Sequence, residues 1–148
     1  MNKIFIGVVI LIIGTILFKF YYNDYNRANS AYENGDFHKA IQLYEKACDD
    51  NNMDACRIAG YCYDEGLGKR LNLQKAIQLY SKACDGEDMV ACHNLAMMYL
   101  EGRGVKKDGK RAFEMFGTLC DNGLDIGCYS YNELKERIML MRKIRNKK

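Results

Sequence analysis

Two patterns of apolar residues divide the chain. The first is continuous, since residues 4–18 read IFIGVVILIIGTILF and contain no charged residue. The second is periodic, with apolar residues spaced i, i+3, i+4, i+7 and i+8 at Ala76, Leu79, Tyr80, Ala83 and Cys84. The periodic spacing places side chains on one face of an α-helix. The chain is therefore predicted to carry a hydrophobic N-terminal helix followed by amphipathic helices.

A 36-residue repeat follows the apolar segment. The sequence AIQLYEKACD at residues 40–49 recurs as AIQLYSKACD at residues 76–85, with nine of ten positions identical. The stretches EGLGKRLN and EGRGVKKD are related by the same offset. Their glycines end a helix, and their last residues, Asn72 and Asp108, are of the types that cap the next one. Each unit is predicted to be a helix, a loop and a second helix.

One more helix pair is predicted in front of these units. The segment ANSAYENGDFHKAIQLYEKA contains Asn34-Gly35-Asp36, which is typical of a turn. We therefore expect an all-α solenoid of stacked helix pairs in residues 25–135. Residues 1–24 are assigned to the hydrophobic segment, and residues 136–148 to a basic C-terminal capping tail.

These residues carry a family resemblance. The stretches ACRIAGYCYDEGLGKRLNLQKAIQLYSKACDGED and ACHNLAMMYLEGRGVKKDGKRAFEMFGTLCDNGLD resemble the SEL-one-like repeat, a relative of the tetratricopeptide repeat. The paired cysteines resemble those of the Helicobacter cysteine-rich proteins. The resemblance covers roughly residues 28–135 and implies an α/α superhelix. Two departures mark the last unit as a cap: Gly127 replaces the alanine of the other units, and a second helix is missing.

Six of the seven cysteines form pairs with one spacing of eight residues: Cys48 and Cys56, Cys84 and Cys92, and Cys120 and Cys128. Each pair joins the end of one helix to the first turn of the next. A zinc site would need four ligands, but the pairs are far apart and the chain has only two histidines. Disulfides are therefore predicted, each contributing about 2.6 kcal/mol, and they require an oxidising compartment.

Cys62 is the unpaired cysteine. Met98 stands at its equivalent position 36 residues later, so one interpretation is a small buried apolar residue with a free thiol. The other interpretation is an intermolecular disulfide.

The N-terminal segment is predicted to reach the membrane. A helix over residues 4–22 would be roughly 28 Å long, close to the hydrocarbon thickness of a bilayer. A cleavable signal peptide is the alternative, but the nearest small-residue site, Ala28-Asn29-Ser30, lies far downstream. Because the cysteines need oxidation, we expect a single-pass membrane protein with its repeats on the periplasmic side. After cleavage it would instead be periplasmic or secreted.

The charge is concentrated in the tail. Residues 135–148 contain seven Lys or Arg and one acid, so the rest of the chain nets −3 within a total of +3. This balance does not favour nucleic-acid binding. The tail is predicted to be a helix that covers the end of the stack. The second interpretation is a contact with anionic lipid or cell-wall polymer.

The Helicobacter family resemblance implies an enzymatic alternative, a weak β-lactamase or penicillin-binding protein. The three serines, at positions 30, 81 and 130, are not followed by a lysine three residues later, so the S-x-x-K nucleophile of such enzymes is missing. Two histidines 55 residues apart also do not form the usual zinc site. We therefore predict no catalytic, cofactor-binding or metal-binding residue.

A binding function is favoured instead. Residues that change in chemical type between units lie on the first helix of each unit, which lines the groove in tetratricopeptide-like folds. Neutral drift on an exposed face gives a similar pattern. An extended peptide or protein segment is the natural ligand of such a groove. The predicted partner-binding residues are Arg57, Tyr61, Asn94, Met97 and Tyr129.

Overall fold

The computed structural model describes residues 8–9, 11–15 and 23–146. Residues 8–9 and 11–15 are helical, and the remainder of the predicted membrane stretch, 4–22, lies outside the described residues. No helix among the described residues has the length and apolar character needed to cross a membrane. From residue 23 to 146 the regular elements are α1 Asp24–Glu33, α2 Phe37–Asp49, α3 Met53–Glu65, α4 Leu73–Asp85, α5 Met89–Glu101, α6 Gly109–Asp121 and α7 Asp125–Arg145.

The helices stack in chain order. Each of them packs mainly against its neighbours in the sequence, from α1 on α2 to α6 on α7. This nearest-neighbour packing is the defining property of a solenoid. The prediction of an all-α solenoid is thus confirmed for residues 23–146. The pairs α1–α2, α3–α4 and α5–α6 are complete, and α7 stands alone at the end.

Helix ends lie where the repeated polar residues and glycines predict them. The side chains of Asn72 and Asp108 accept hydrogen bonds from backbone N–H groups at the starts of α4 and α6, which confirms both predicted caps. Gly66 and Gly102 follow α3 and α5 with φ angles of 70° and 77°, in the left-handed region. Side chains other than glycine rarely adopt this conformation, so the glycines terminate the helices.

The core repeats with the sequence. Tyr44, Tyr80 and Phe116 are 36 residues apart, and each is at most 2% exposed on the second helix of its pair. Alanines surround these rings, because the small side chain allows close helix packing. The core is therefore one large aromatic residue per pair among small ones, and it is thin.

The second glycine of each loop holds neighbouring pairs together. A Cβ atom on Gly104 would lie 2.5 Å from the Cβ of Leu73, and one on Gly68 would lie 2.5 Å from the backbone carbonyl carbon of Phe37. Each loop thus rests directly on the start of the preceding second helix. A larger residue at either glycine would push the pairs apart.

Three disulfides join consecutive helix pairs. Cys48 is bonded to Cys56, Cys84 to Cys92 and Cys120 to Cys128, with Cα–Cα distances of 4.6, 4.6 and 4.3 Å. Each bond connects the end of a second helix to the start of the next first helix. The fold therefore has the predicted cross-links at the repeat positions.

Cys62 forms no disulfide in the described part of the chain, and its side chain is fully buried in α3. Burial raises the pKa of its thiol to about 11. These surroundings agree with the first of the two interpretations, a buried residue with a free thiol.

The last helix is longer than the others. α7 continues without a break across the predicted boundary between residues 135 and 136 and ends at Arg145. Ile138 occupies the position at which Gly66 and Gly102 end the corresponding helices, so no glycine stops α7 there. Beyond this point Leu140 and Met141 are 59% and 71% exposed. The end of the helix therefore projects from the stack.

Candidate binding groove

A cavity of about 330 Å³ opens between the first helices of the three complete pairs. Three of the five predicted partner-binding residues, Arg57, Tyr61 and Asn94, contribute to its wall. The complete lining consists of Asn29, Tyr32, Tyr44, Arg57, Ile58, Tyr61 and Asn94. The wall is thus mainly tyrosine and amide side chains, with a single charged group.

The floor of the cavity is a fixed tyrosine. The Tyr44 hydroxyl donates a hydrogen bond of 2.7 Å to Oδ1 of Asn29, and the Tyr44 ring lies 6.4 Å from that of Tyr32. Burial raises the pKa of Tyr44, so its hydroxyl remains protonated at physiological pH. Since Oδ1 of Asn29 accepts this bond, the Asn29 amide has a fixed orientation. The floor offers a rigid aromatic surface.

The rim is more open. Tyr61 is 43% exposed on α3, and Asn94 is half-buried on α5. A phenol ring and an amide at the edge of an apolar cavity can contact a side chain and hydrogen-bond to the backbone of an extended peptide.

Arg57 is committed to contacts within the protein. Its guanidinium donates from Nε to Asp88 at 2.9 Å and from NH2 to Asp54 at 2.7 Å. Asp88 also caps α5 through the backbone N–H of Ala91. Arg57 therefore connects α3 to the start of α5 as well as lining the cavity, and its charge is largely neutralised before any ligand binds.

His93 stands at the position equivalent to Arg57 and also reaches the next first helix. Its Nε2 lies 3.1 Å from Oγ of Ser130 on α7. Burial lowers the pKa of His93, so the ring is neutral at pH 7. Among residues 23–146 no carboxylate is hydrogen-bonded to this ring. The pair connects two repeats in the same way as Arg57 and Asp88.

The two other predicted ligand residues lie elsewhere. Met97 is half-buried and packs against the core of the last repeats. Tyr129 is 70% exposed on α7. Neither residue lines the cavity, so only Arg57, Tyr61 and Asn94 are brought together.

Sequence comparison between units did not identify Asn29, Tyr32 and Tyr44. The turn between α1 and α2 is four residues shorter than the loop between α3 and α4, so α1 corresponds to α3 at an offset of 32 rather than 36. At that offset Asn29 occupies the position of Tyr61. Tyr44 recurs as Tyr80, so a comparison that selects residues differing between units does not select it.

No metal site is evident in the described residues, where no group of three or more His, Cys, Asp or Glu side chains is close enough to hold an ion.

Comparison with protein families gives one match. The Sel1 repeat matches residues 25–52, 54–88 and 90–124, which correspond to the three complete helix pairs. A search of the curated proteins gives no match.

Several solved structures are similar to the chain. Helicobacter pylori cysteine rich protein B is 37% identical with a TM-score of 0.57, over 61% of this chain and 68% of that one. A Sel1 repeat protein from Oxalobacter formigenes is 32% identical with a TM-score of 0.61, over 65% of this chain and 39% of that one.

A third structure is a protective antigen of uropathogenic Escherichia coli that displays an SLR fold. It is 28% identical with a TM-score of 0.64, over 69% of this chain and 22% of that one. The chain thus spans a minor part of two of these three proteins.

Proposed function

Because this chain belongs to the Sel1 repeat family, we propose that it is a scaffold that binds a protein partner through the groove between its first helices. The observation that carries the proposal is the cavity in which Arg57, Tyr61 and Asn94 meet. Its volume of about 330 Å³ suits one or two apolar side chains of an extended segment. Nothing in the arrangement favours the β-lactamase alternative, and we do not propose it.

The ligand chemistry follows from the wall. Three tyrosines and Ile58 offer contact area. Asn94 at the rim is hydrogen-bonded to Tyr80, and its amide keeps further hydrogen-bonding capacity for a peptide backbone. Since Arg57 is already paired with two carboxylates, we expect no strong preference for an acidic peptide. The best ligand is an extended segment with an aromatic or aliphatic side chain at the position above Tyr44.

Site-specific crosslinking in intact cells tests this proposal. A photoreactive phenylalanine analogue at Tyr61 should crosslink to a protein partner. The same analogue at Tyr129, which is more exposed but outside the cavity, should not. The Asn94→Ala substitution should reduce the Tyr61 crosslink at least fivefold. Because it also removes a hydrogen bond to the buried Tyr80 hydroxyl, the crosslink is compared at a temperature at which circular dichroism shows the variant to be folded. Equal crosslinking from both sites would contradict a groove ligand.

We further propose that the repeats work on the periplasmic side of the cell membrane. Three disulfides support an oxidising compartment outside the cytosol. The hydrophobic stretch 4–22 would be the anchor. Carbonate extraction followed by mass determination tests both parts: an uncleaved chain in the membrane pellet supports an anchor, and a shortened soluble chain supports a signal peptide. Seven alkylatable thiols in rapidly quenched cells would contradict the oxidised state.

The projecting end of α7 is proposed to contact anionic lipid. Arg142, Lys143 and Arg145 take part in no ion pair within residues 23–146, and apolar side chains lie exposed beside them. Such a basic amphipathic helix lies at the surface of an anionic bilayer. The stack itself needs no further cover beyond Ile138.

The absence of tryptophan from the chain allows a direct test. The full-length Leu140→Trp variant, reconstituted with brominated lipids, should be quenched in anionic vesicles and much less in zwitterionic ones. Leu71→Trp is the matched control, since Leu71 is 53% exposed in a loop and Leu140 is 59% exposed in α7. Quenching of Leu140→Trp that does not depend on lipid charge or salt would refute the electrostatic contact.

A further inference from the structure

The helix pairs meet at two equivalent junctions beside the disulfides Cys48–Cys56 and Cys84–Cys92. Side chains fill the space at the first junction, and the space at the second is open. In the first junction the Lys82 ammonium donates a hydrogen bond of 2.6 Å to the backbone carbonyl of Cys48. Met53 lies directly over Gly86, where an added Cβ atom would be 2.5 Å from the Met53 sulfur. A four-carbon side chain with a terminal ammonium group and a methionine thus fill this junction.

Both filling features are lost 36 residues later. Thr118 replaces Lys82, and its hydroxyl donates to the Glu114 carbonyl of its own helix at 3.1 Å. Asn122 replaces Gly86, so the equivalent methionine, Met89, cannot pack against a glycine as Met53 does. Met89 is 40% exposed. A cavity of about 620 Å³ opens at this second junction.

The cavity is apolar with a polar end. Met89, Met115, Leu119 and the bond between Cys84 and Cys92 form its apolar wall. Methionine side chains adapt to ligands of different shape because they are unbranched and polarizable. Cys84 also lines the cavity, and its carbonyl is equivalent to the one that Lys82 contacts in the first junction.

One charged residue among those described, a carboxylate, lines the cavity. Glu87 lines the cavity and takes part in no ion pair within residues 23–146. Its φ angle is 69°, in the left-handed region, and the equivalent positions hold Asn51 and Gly123, with φ angles of 64° and 82°. Asn and Gly adopt this conformation readily, whereas Glu does so at a cost of about 1 kcal/mol. The acidic side chain is therefore present in spite of its local conformational cost.

We propose that the second junction binds a primary alkylammonium group on an aliphatic chain, with the ammonium at Glu87 and the Cys84 carbonyl and the methylenes against Met89 and Met115. Lys82 demonstrates the fit, since the same groups fill the equivalent space from within the chain. Glu87 is the only charged residue among the described residues that line this cavity, so the cavity favours a cation over an anion. A lysine side chain of a partner protein and a free diamine both supply this chemistry.

This junction is separate from the groove. None of its lining residues lines the cavity that contains Tyr61 and Asn94. Loss of ligand binding at one site therefore leaves the other site intact, and the failure of either proposal can be recognised by itself.

Methyl NMR of the full-length protein in detergent micelles tests the proposal. Methionine methyl groups are labelled, and Nα-acetyl-lysine N-methylamide is added. The Met89 and Met115 signals should shift in a saturable manner, while Met53 in the filled junction should not. The norleucine derivative, which lacks the ammonium, should bind at least tenfold more weakly. Comparison with cadaverine assigns the source: tighter binding of the lysine derivative indicates a protein partner, and tighter binding of cadaverine indicates a free diamine.

Two substitutions provide matched controls. Thr118→Lys should fill the second junction from within and abolish the shifts at Met89. Glu87→Gly should weaken ligand binding at least tenfold while raising the melting temperature, because it also removes the conformational cost. A destabilised variant could lose binding by misfolding, but a stabilised one could not. Equal affinity for the norleucine derivative, unchanged binding by Thr118→Lys, or the absence of saturable shifts would overturn the proposal.

Discussion

Removal of one disulfide measures how much of the stability of the stack comes from cross-links. Cys48 and Cys56 are eight residues apart, so their bond closes a loop of nine residues. The corresponding loss of entropy in the unfolded chain is worth about 2.6 kcal/mol. Both side chains are at most 1% exposed, and each sulfur replaced by hydrogen costs about 0.8 kcal/mol if it counts as one buried methylene. The double variant Cys48→Ala, Cys56→Ala should therefore lose about 4 kcal/mol of unfolding free energy.

Cys62→Ala is the matched control. It removes one fully buried sulfur without opening a bridge, so we expect a loss of about 1 kcal/mol. The unfolding entropy of about 2.1 cal/mol/K per residue, over residues 23–146, converts each kcal/mol into a melting-temperature shift of about 4 °C. The double variant should melt about 15 °C lower than the wild type, and the control about 4 °C lower.

Thermal unfolding followed by circular dichroism, without reductant, gives both shifts. Thiol titration in denaturant confirms the bonding state: one thiol in the wild type and double variant, and none in the control. If the decrease in melting temperature of the double variant is no more than twice the decrease of the control, the lost packing of two sulfur atoms explains the whole effect. The loop-entropy argument would then be wrong for this fold.

Three further variants or measurements follow from particular contacts. Gly104→Ala should cost more than 2 kcal/mol in urea denaturation and Gly35→Ala about 1 kcal/mol, because both have positive φ angles but only Gly104 lies against another helix; equal costs would contradict the packing argument. Burial raises the pKa of Asp64 and Arg103 only partly offsets this effect. The stability contributed by this protonation is complete below the unfolded pKa of about 3.9 and is lost as the pH rises through the folded pKa. Asp24 and Glu45, whose pKa values are lowered, give the opposite trend, so Asp64→Asn should make the denaturation midpoint rise more steeply between pH 3 and 6; an unchanged slope would refute this. The thiol of Cys62, fully buried and with a pKa raised to about 11, should react with a disulfide reagent at pH 8 roughly 100-fold more slowly than in denaturant; rapid native labelling would show that α3 opens.

The fold was predictable because local signals and the repeat agree. The glycines after α3 and α5 and the caps before α4 and α6 recur at a single offset, so each helix boundary is indicated twice. The cysteine spacing then indicates which helix ends meet. These features depend on neighbouring residues in the chain, and sequence patterns report such features well.

The groove was predicted only in part, for a geometric reason. Its wall combines side chains from three helix pairs, and a change of four residues in one turn shifts α1 out of the common offset. Tyr44 is part of both the core and the groove, because its side chain is almost fully buried and also forms the floor of the cavity. A comparison between units selects residues that differ. It therefore misses a residue that is repeated for the core and also lines the groove.

The paired roles of Arg57 and His93 show another limit. The two residues occupy the same position in successive units, and their difference in type led to the prediction of a ligand contact at Arg57. Each of them instead reaches the following first helix, at Asp88 and Ser130 respectively. The change in residue type reflects a change of internal partner. The replacement of one hydrogen-bonded residue pair by another can be recognised only in a structure that shows the neighbouring helix.

The short span of the disulfides bears on how the protein is made. Each bond joins a cysteine to the next one along the chain, and Cys62 follows Cys56 by six residues. At synthesis rates of about 5–20 residues per second, repeats that cross the membrane in sequence order during synthesis expose Cys48 and Cys56 together for roughly 0.3 to 1 s before Cys62 emerges. Ends of a ten-residue loop meet within about 100 ns, so the first two thiols encounter each other several million times in that interval. Where an oxidant acts within this interval, the order of emergence favours the bond between Cys48 and Cys56 and leaves Cys62 as the free thiol.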